Sequence, residues 1–207
     1  SAYPDIAKIT RGTPFAWFNH VPELHEQHEM DFKLDLQVMR QLWNSLENQT
    51  GEEKEALEKL LKTEFVLKNI VWALRLRIYY KMEKDDIIKK LIYVTDHPSA
   101  ADPITAPALA VLEMPLDEYG AWNEWKYHDL INPHFDGEIW NVDPGWIENK
   151  AKAKLNRMAL NMFHQYPMTT ASLVGWYKVK EYELSCIRTA VESIRLNLKP
   201  QEAMNAV

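Results

Sequence analysis

Gly51 to Met82, GEEKEALEKLLKTEFVLKNIVWALRLRIYYKM, decides the fold. Leu57, Leu60, Leu61, Phe65, Ile70, Leu74 and Ile78 recur at three- and four-residue intervals, and that spacing puts them on one face of a helix. Thr50, with Glu53 three residues on, has the form of a capping box at its start. At 1.5 Å per residue such a helix reaches about 45 Å, so the rest of the chain must pack against a long apolar stripe.

Working outward, Phe32, Leu36, Met39, Trp43 and Leu46 predict an amphipathic helix from Asp31 to Asn48, ended by Asn48-Gln-Thr-Gly51. Residues 1–30 show no sustained period beyond a short helix expected near Val21 to His28. On the other side, Asp85 to Val94 predicts a shorter helix turning back. Pro98, Pro103 and Pro107 then mark a segment that sustains neither helix nor central strand. Met114 to Ile131 predicts a helix capped at Asp117, and Asn132 to Asp143 a connection. Asp143-Pro144 places a capping side chain before a proline at the first helical position. The helix so started carries Ile147, Ala151, Leu155, Met158, Ala159, Met162 and Phe163 inward and stops at Tyr166-Pro167. Thr169 or Thr170 opens the last long helix, with Leu173, Val174, Tyr177, Leu184, Ile187, Val191, Ile194 and Leu198 on its apolar face, and Pro200 starts a final short one. No alternating strand pattern occurs. The expected class is all-α: long antiparallel amphipathic helices in two similar units, 1–95 with an irregular N-terminal segment and 114–207, joined by a Pro-rich linker at 96–113.

With 207 residues, 46% hydrophobic and 26% charged, the chain has the balance of a globular protein able to bury a core without staples. The lone Cys186 excludes an internal disulfide framework and any multi-cysteine metal site, and fits a reducing compartment. No apolar run approaches the roughly 18 residues of a membrane span, and no secretion signal opens the chain. The chain begins Ser1-Ala2 rather than with methionine, so an upstream continuation is expected. The net charge of −6 argues against a nucleic-acid groove. Its distribution is uneven: residues 96–146 carry only Lys126 against 10 acids, whereas residues 147–207 carry 9 basic against 5 acidic side chains. Such segregation suits either complementary docking to a partner or pairing between neighbouring helices.

Shifting the chain by 117 residues superposes Glu64-Phe-Val-Leu-Lys-Asn-Ile-Val-Trp-Ala73 on Glu181-Tyr-Glu-Leu-Ser-Cys-Ile-Arg-Thr-Ala190, with Glu, Leu, Ile and Ala in common. Lys84-Asp-Asp-Ile87 and Gln201-Glu-Ala-Met204 follow the two copies in the same way, and together these matches predict a duplication. At these residues the chain resembles the C/d family of V-type ATPase subunits, whose members are designated C in archaea and bacteria and d in eukaryotes. Lys180 to Arg188 with Arg195 to Glu202 is similar to the last of that family's three helical units, and Glu64 to Asn69-Ile70 with Arg75 to an earlier one. The similar segments span about 31–94 and 169–206. Val66 stands where the family pattern has an acid, Cys186 where it has asparagine, and family members are much longer. The resemblance implies a non-catalytic cap that sits on the membrane rotor ring, receives the central stalk and couples ATP hydrolysis to proton or sodium movement. Its expected partners are the other ATPase subunits, one copy per complex, at the cytoplasmic face of the membrane without spanning it, with no cofactor. Glu64, Asn69, Arg75, Glu181, Glu183 and Arg188 are the repeat positions it marks as structural or interfacial.

Two constellations invite chemistry. His20, His25 and His28 lie among Glu23, Glu26 and Glu29, the ligand set of zinc or non-haem iron. The spacing of His25 and His28 is one short of the two-histidine helix motif, so a metalloenzyme would need a second supplier such as Glu124 with His128, or His164. Trp122, Trp125, Trp140 and Trp146 form either a stacking or anchoring surface or a satellite core that holds an acidic loop; the helical spacing of the first pair favours the core. The duplicated Glu64 and Glu181 are expected in packing rather than acid–base catalysis, and Cys186 as an inert buried thiol. No phosphate loop or nucleophile motif is present. A generic helical adaptor is the remaining alternative.

Overall fold

The computed structural model describes residues 5–197, and every regular element among them is helical. In chain order these are α1 (Ile6–Thr10), α2 (Gln27–Glu47), α3 (Glu53–Ile78), α4 (Lys84–Ile88), α5 (Ala106–Glu113), α6 (Tyr119–Asn123), a 3-10 turn (His128–Leu130), α7 (Pro144–Gln165) and α8 (Thr170–Arg195). Leu198, the helix expected after Pro200 and the 201–204 echo lie outside the described residues.

The axis of the fold is α3. Its 26 residues extend about 39 Å, and α2, α4, α5, α7 and α8 all pack on it. The expected stripe is buried from Leu57 to Leu74, with Ile78 half-buried at its end, but Val66, Leu67, Val71, Ala73 and Leu76 are buried as well. With apolar residues on more than one side over its second half, α3 serves as the core helix, leaving Lys62, Lys68 and Trp72 exposed. The capping box at Thr50 does not form. Gly51 takes φ +92°, which carries Thr50 out of register, and Glu52 stands at the cap with no side-chain bond.

Upstream, α2 begins at Gln27 rather than Asp31 and absorbs part of the short helix expected near Val21 to His28, while α1 is a short helix in the segment read as irregular. Trp43 of α2 meets Phe65 of α3 with ring centroids 6.5 Å apart.

The helix expected over 85–94 is only α4. Beyond it the chain returns across α3, held by Asn69: its side-chain carbonyl accepts from Ile92 N (2.8 Å) and its amide donates to Ile92 O (2.7 Å) and Ile104 O (3.2 Å). The fully buried Asp102 completes the turn. One carboxylate oxygen accepts from Ile104 N and Thr105 N, the other from Val94 N, Thr95 N and the Thr95 hydroxyl, all at 2.8–2.9 Å. Proline thus shapes a built corner leading into α5, which itself falls inside the 96–113 stretch and packs on α3. Arg77 of α3 donates to Val111 O and Met114 O at the C-terminal end of α5, where unpaired carbonyls favour a cation.

The single helix expected from Met114 to Ile131 is instead α6 and the 3-10 turn, and Asp117 caps neither. The cause is the aromatic cluster: Trp122 is fully buried and its indole N–H donates to Pro115 O at 2.6 Å. The N–H groups of Trp125, His128 and Leu130 bond carbonyls three residues back, tightening the chain into turns around it.

At α7 the reading from sequence holds in detail, with Asp143 Oδ1 accepting from Gly145 N at 2.8 Å and Pro144 in the first turn. Thr169 caps α8 through Ser172 N at 3.4 Å. The two helices form a tight antiparallel hairpin, and where they are closest a Cβ on Gly175 would stand 2.8 Å from Ala159 O. One expectation fails along α8. Leu173, Tyr177, Leu184, Ile187, Val191 and Ile194 are exposed rather than buried, because α8 turns its small and polar residues, Ala171, Gly175 and Ser193 among them, inward.

Candidate functional site

Three long helices, α3, α7 and α8, enclose a groove of about 380 Å³. Its floor is apolar, with Leu60, Leu67, Val71 and Leu155, and its walls carry the charges. Three of the six repeat positions meet here: Glu64 from α3 with Glu181 and Arg188 from α8.

Glu64 is buried, yet its Oε1 accepts from Lys68 Nζ and Lys178 Nζ, both at 2.9 Å. Lys178 in turn reaches Glu181 Oε2 at 2.9 Å. Glu64 and Glu181, which the sequence echo aligns, are therefore joined through one lysine that bridges α8 to α3. Burial pushes the Glu64 carboxyl up, but the two ammonium groups outweigh it and hold it below the ordinary carboxylate range. Burial likewise lowers Lys178, and Glu64 and Glu181 more than reverse it, leaving the lysine raised. A carboxylate clasped by two cations stays ionised, the condition of an ion lock rather than of a general acid.

At one end of the groove Arg75 of α3 pairs with Glu148 of α7, which also binds Lys152 at 2.8 Å. Lys178–Glu64 ties α8 to α3, and Arg75–Glu148 ties α7 to α3. Arg188 lines the groove with no ion pair or hydrogen bond among the described residues. Asn69 lies apart, in the corner that holds residues 92–104, and Glu183 is exposed on α8 with Lys180 at 2.7 Å. Lys178, Glu148 and Asp102 were not singled out from sequence. Lys178 could have been found from its place three residues before Glu181, one helical turn away.

The histidine cluster does not assemble. His20 pairs with Glu26 (3.4 Å) and His25 with Glu23 (3.5 Å) at the surface, His128 bonds Trp125 O, and His164 lies against the Phe163 ring. Among the described residues no three His, Cys, Asp or Glu side chains converge as a metal site requires. Three of the tryptophans pack as core, continuous with that of α3 rather than as a separate satellite: Trp122 stacks edge-on to Trp125 at 5.2 Å and approaches Trp140 at 6.3 Å, and the Trp140 indole donates to Asn132 O. Trp146 stands off the cluster on α7, with Lys150 over its ring. Cys186 is half-buried on α8. Among the described residues no helix is long and apolar enough to cross a membrane.

A protein of Treponema pallidum (strain Nichols), described as uncharacterized, is 29% identical over 192 residues, which is 93% of this chain and 56% of that protein. The chain thus spans a little over half the length of the curated relative it matches. No solved structure matches it. The family model for the ATP synthase (C/AC39) subunit matches residues 1–206, and with that span the chain belongs to the C/AC39 subunit family of V-type ATPases and ATP synthases.

Proposed function

We propose that this chain works as the central-stalk cap of a V-type ATPase or ATP synthase, joining the membrane rotor ring to the stalk and passing torque between ATP turnover and proton or sodium movement. The observation that carries the reading is the family match over residues 1–206. The helical frame supports it mechanically: α7 and α8 are each cross-tied to α3 by an ion pair near the groove, so the three helices share a load rather than slide. The segregated charge supports it electrostatically. Lys154 of α7 and Asp129 pair at 2.8 Å across the acidic and basic stretches, and the charge left over in each stretch suits complementary docking to neighbouring subunits. The partners are the stalk and ring subunits, met at the cytoplasmic face of the membrane through protein contacts. No step of chemistry is assigned to the chain itself.

Affinity capture of the native full-length protein from solubilised membranes, with co-purifying chains identified by mass spectrometry, tests this. Recovery of stalk and ring subunits is expected. Their absence from an extract in which the ATPase is demonstrably present defeats the proposal.

A further inference from the structure

The stretch from Asn132 to Asp143, expected from sequence as a plain connection, is a built loop. Asn132 staples its base in three ways. Its side-chain amide donates to Asn141 O at 3.0 Å, its side-chain oxygen accepts from Asp143 N at 3.0 Å, and its main-chain oxygen accepts the Trp140 indole N–H at 3.1 Å. Trp140 is buried, and Tyr119 packs its ring against both Trp140 and His134, with centroids 5.3 and 5.2 Å apart. At the far end Glu138 N donates to Phe135 O at 3.1 Å, and Gly137 takes φ +86°, the left-handed position that this turn needs.

The tip held in this way is apolar. Phe135 is 61% and Ile139 91% exposed among the described residues. Asp136 and Glu138 stand between them, and neither carboxylate has an ion pair or hydrogen bond among the described residues. Single apolar side chains on a surface are ordinary, and loop tips are commonly mobile. Two such side chains on a tip clamped at its base and again within its turn are pre-organised, so little ordering entropy opposes their burial against a partner. An aromatic and a branched aliphatic presented together have the make-up of an anchor that fills a pocket.

The charge around the tip indicates which pocket. Residues 96–146 carry Lys126 alone against 10 acids, and Asp136 and Glu138 bring two of those acids to the tip. An anionic membrane surface and a nucleic acid both repel it. A protein pocket with an apolar floor and lysine or arginine on its rim matches the anchors and the acids together.

We propose that the 132–143 loop is a docking knob, with Phe135 and Ile139 entering an apolar pocket rimmed by basic side chains on another protein chain. That chain need not be an ATPase subunit, so the knob stands apart from the stalk-cap reading.

The test is made in the native full-length protein, in its own cells, with the photo-crosslinker benzoylphenylalanine in place of Ile139. A crosslink to a different chain, at an apolar site flanked by lysine or arginine, is expected. A crosslink confined to the protein's own polypeptide, to a second copy of it or to lipid overturns the proposal, as does the lack of any. Phe135→Ser combined with Ile139→Ser changes exposed side chains, so with melting unaltered it should reduce co-purification of the crosslinked chain by roughly tenfold or more. Asp136→Lys combined with Glu138→Lys should weaken it as well. Co-purification indifferent to both pairs rejects the knob. ATPase subunits that co-purify while the crosslink stays within the polypeptide would remove the knob and leave the stalk-cap reading standing; a crosslinked pocket on a chain outside the ATPase would do the reverse.

Discussion

Asp102 and Glu64 are both carboxylates withdrawn from water, and they are kept ionised by different means. Burial pushes the Asp102 carboxyl up, and hydrogen bonds from Thr95, Thr105 and Val94 outweigh it and hold it below the ordinary range. Glu64 has two lysines instead of amides. The difference predicts opposite tolerance to the neutral isostere. In Asp102→Asn the new amide N–H₂ faces Val94 N, Thr95 N or Ile104 N, donor against donor, so the variant should lose about 2–4 kcal/mol, close to Asp102→Ala. Glu64→Gln keeps an oxygen for Lys68 and Lys178, and Lys178 keeps Glu181, so the loss should be only about 1–2 kcal/mol. Urea unfolding of the three variants separates them; an Asn at 102 as stable as wild type contradicts the donor count. Residue roles of this kind were only partly legible beforehand. Glu64 and Asn69 stand out because they recur or match a family pattern, but an acid among prolines looks like solvent-facing loop. The one available signal was turn chemistry: Asp102-Pro103 begins a turn whose aspartate accepts N–H groups two and three residues on.

Among the elements, α2, α3, α7 and α8 follow from a 3.6-residue period, with the caps read correctly only at α7 and α8, and the structure returns them with shifts of a few residues. Period reports that a helix has an apolar side; it does not report what lies against that side. Hence α3 proves buried well beyond its predicted face and α8 exposed along its apolar face, though the two carry the same echo. The direction of α8 is set by Gly175. An interior glycine costs a helix roughly 1 kcal/mol relative to alanine, so Gly175→Ala would stabilise an unpacked helix. Here the added Cβ meets Ala159 O at 2.8 Å and Phe163 N at 3.0 Å, backbone atoms of α7 that cannot swing aside. The hairpin must spread, which costs about 1–3 kcal/mol, and the net change in Gly175→Ala should be destabilising. Spreading also lengthens the Lys178–Glu64 contact one turn further along. Thermal melting followed by far-ultraviolet dichroism reads the sign directly; a raised midpoint shows that the hairpin is looser than its geometry. The Met114–Ile131 region was the least legible element because tryptophan spacing suits a helix and a cluster equally well, and only the indole N–H, which must find an acceptor once buried, decides for the cluster.

For the molecule as a whole, the ion lock makes stability depend on pH in a way that its many surface pairs do not. Lys33–Glu29, Lys89–Asp86 and Lys180–Glu183 are exposed, and such pairs add little. Glu64 and Asp102 are lowered in the fold, so each adds stability that is fully present above its unfolded-state value and is lost as pH falls through the folded one. Lys178 is raised, so its share is present below the ordinary lysine value and is lost as pH rises through the higher one. The midpoint of thermal unfolding should therefore hold level from about pH 6 to pH 9 and fall on both sides. Substitutions separate the two limbs. Glu64→Gln removes a titrating group and should flatten the acid limb. Lys178→Met leaves Glu64 with Lys68 alone while burial continues to push its carboxyl up, so the acid limb should begin at higher pH than in the wild type and the basic limb should flatten. Midpoints measured at half-unit steps from pH 3 to pH 11 follow both changes. An acid limb displaced in the same direction by Glu64→Gln and Lys178→Met would mean that the two residues act through general packing, and that α8 is held to α3 by apolar contact rather than by the lysine that joins Glu64 to Glu181.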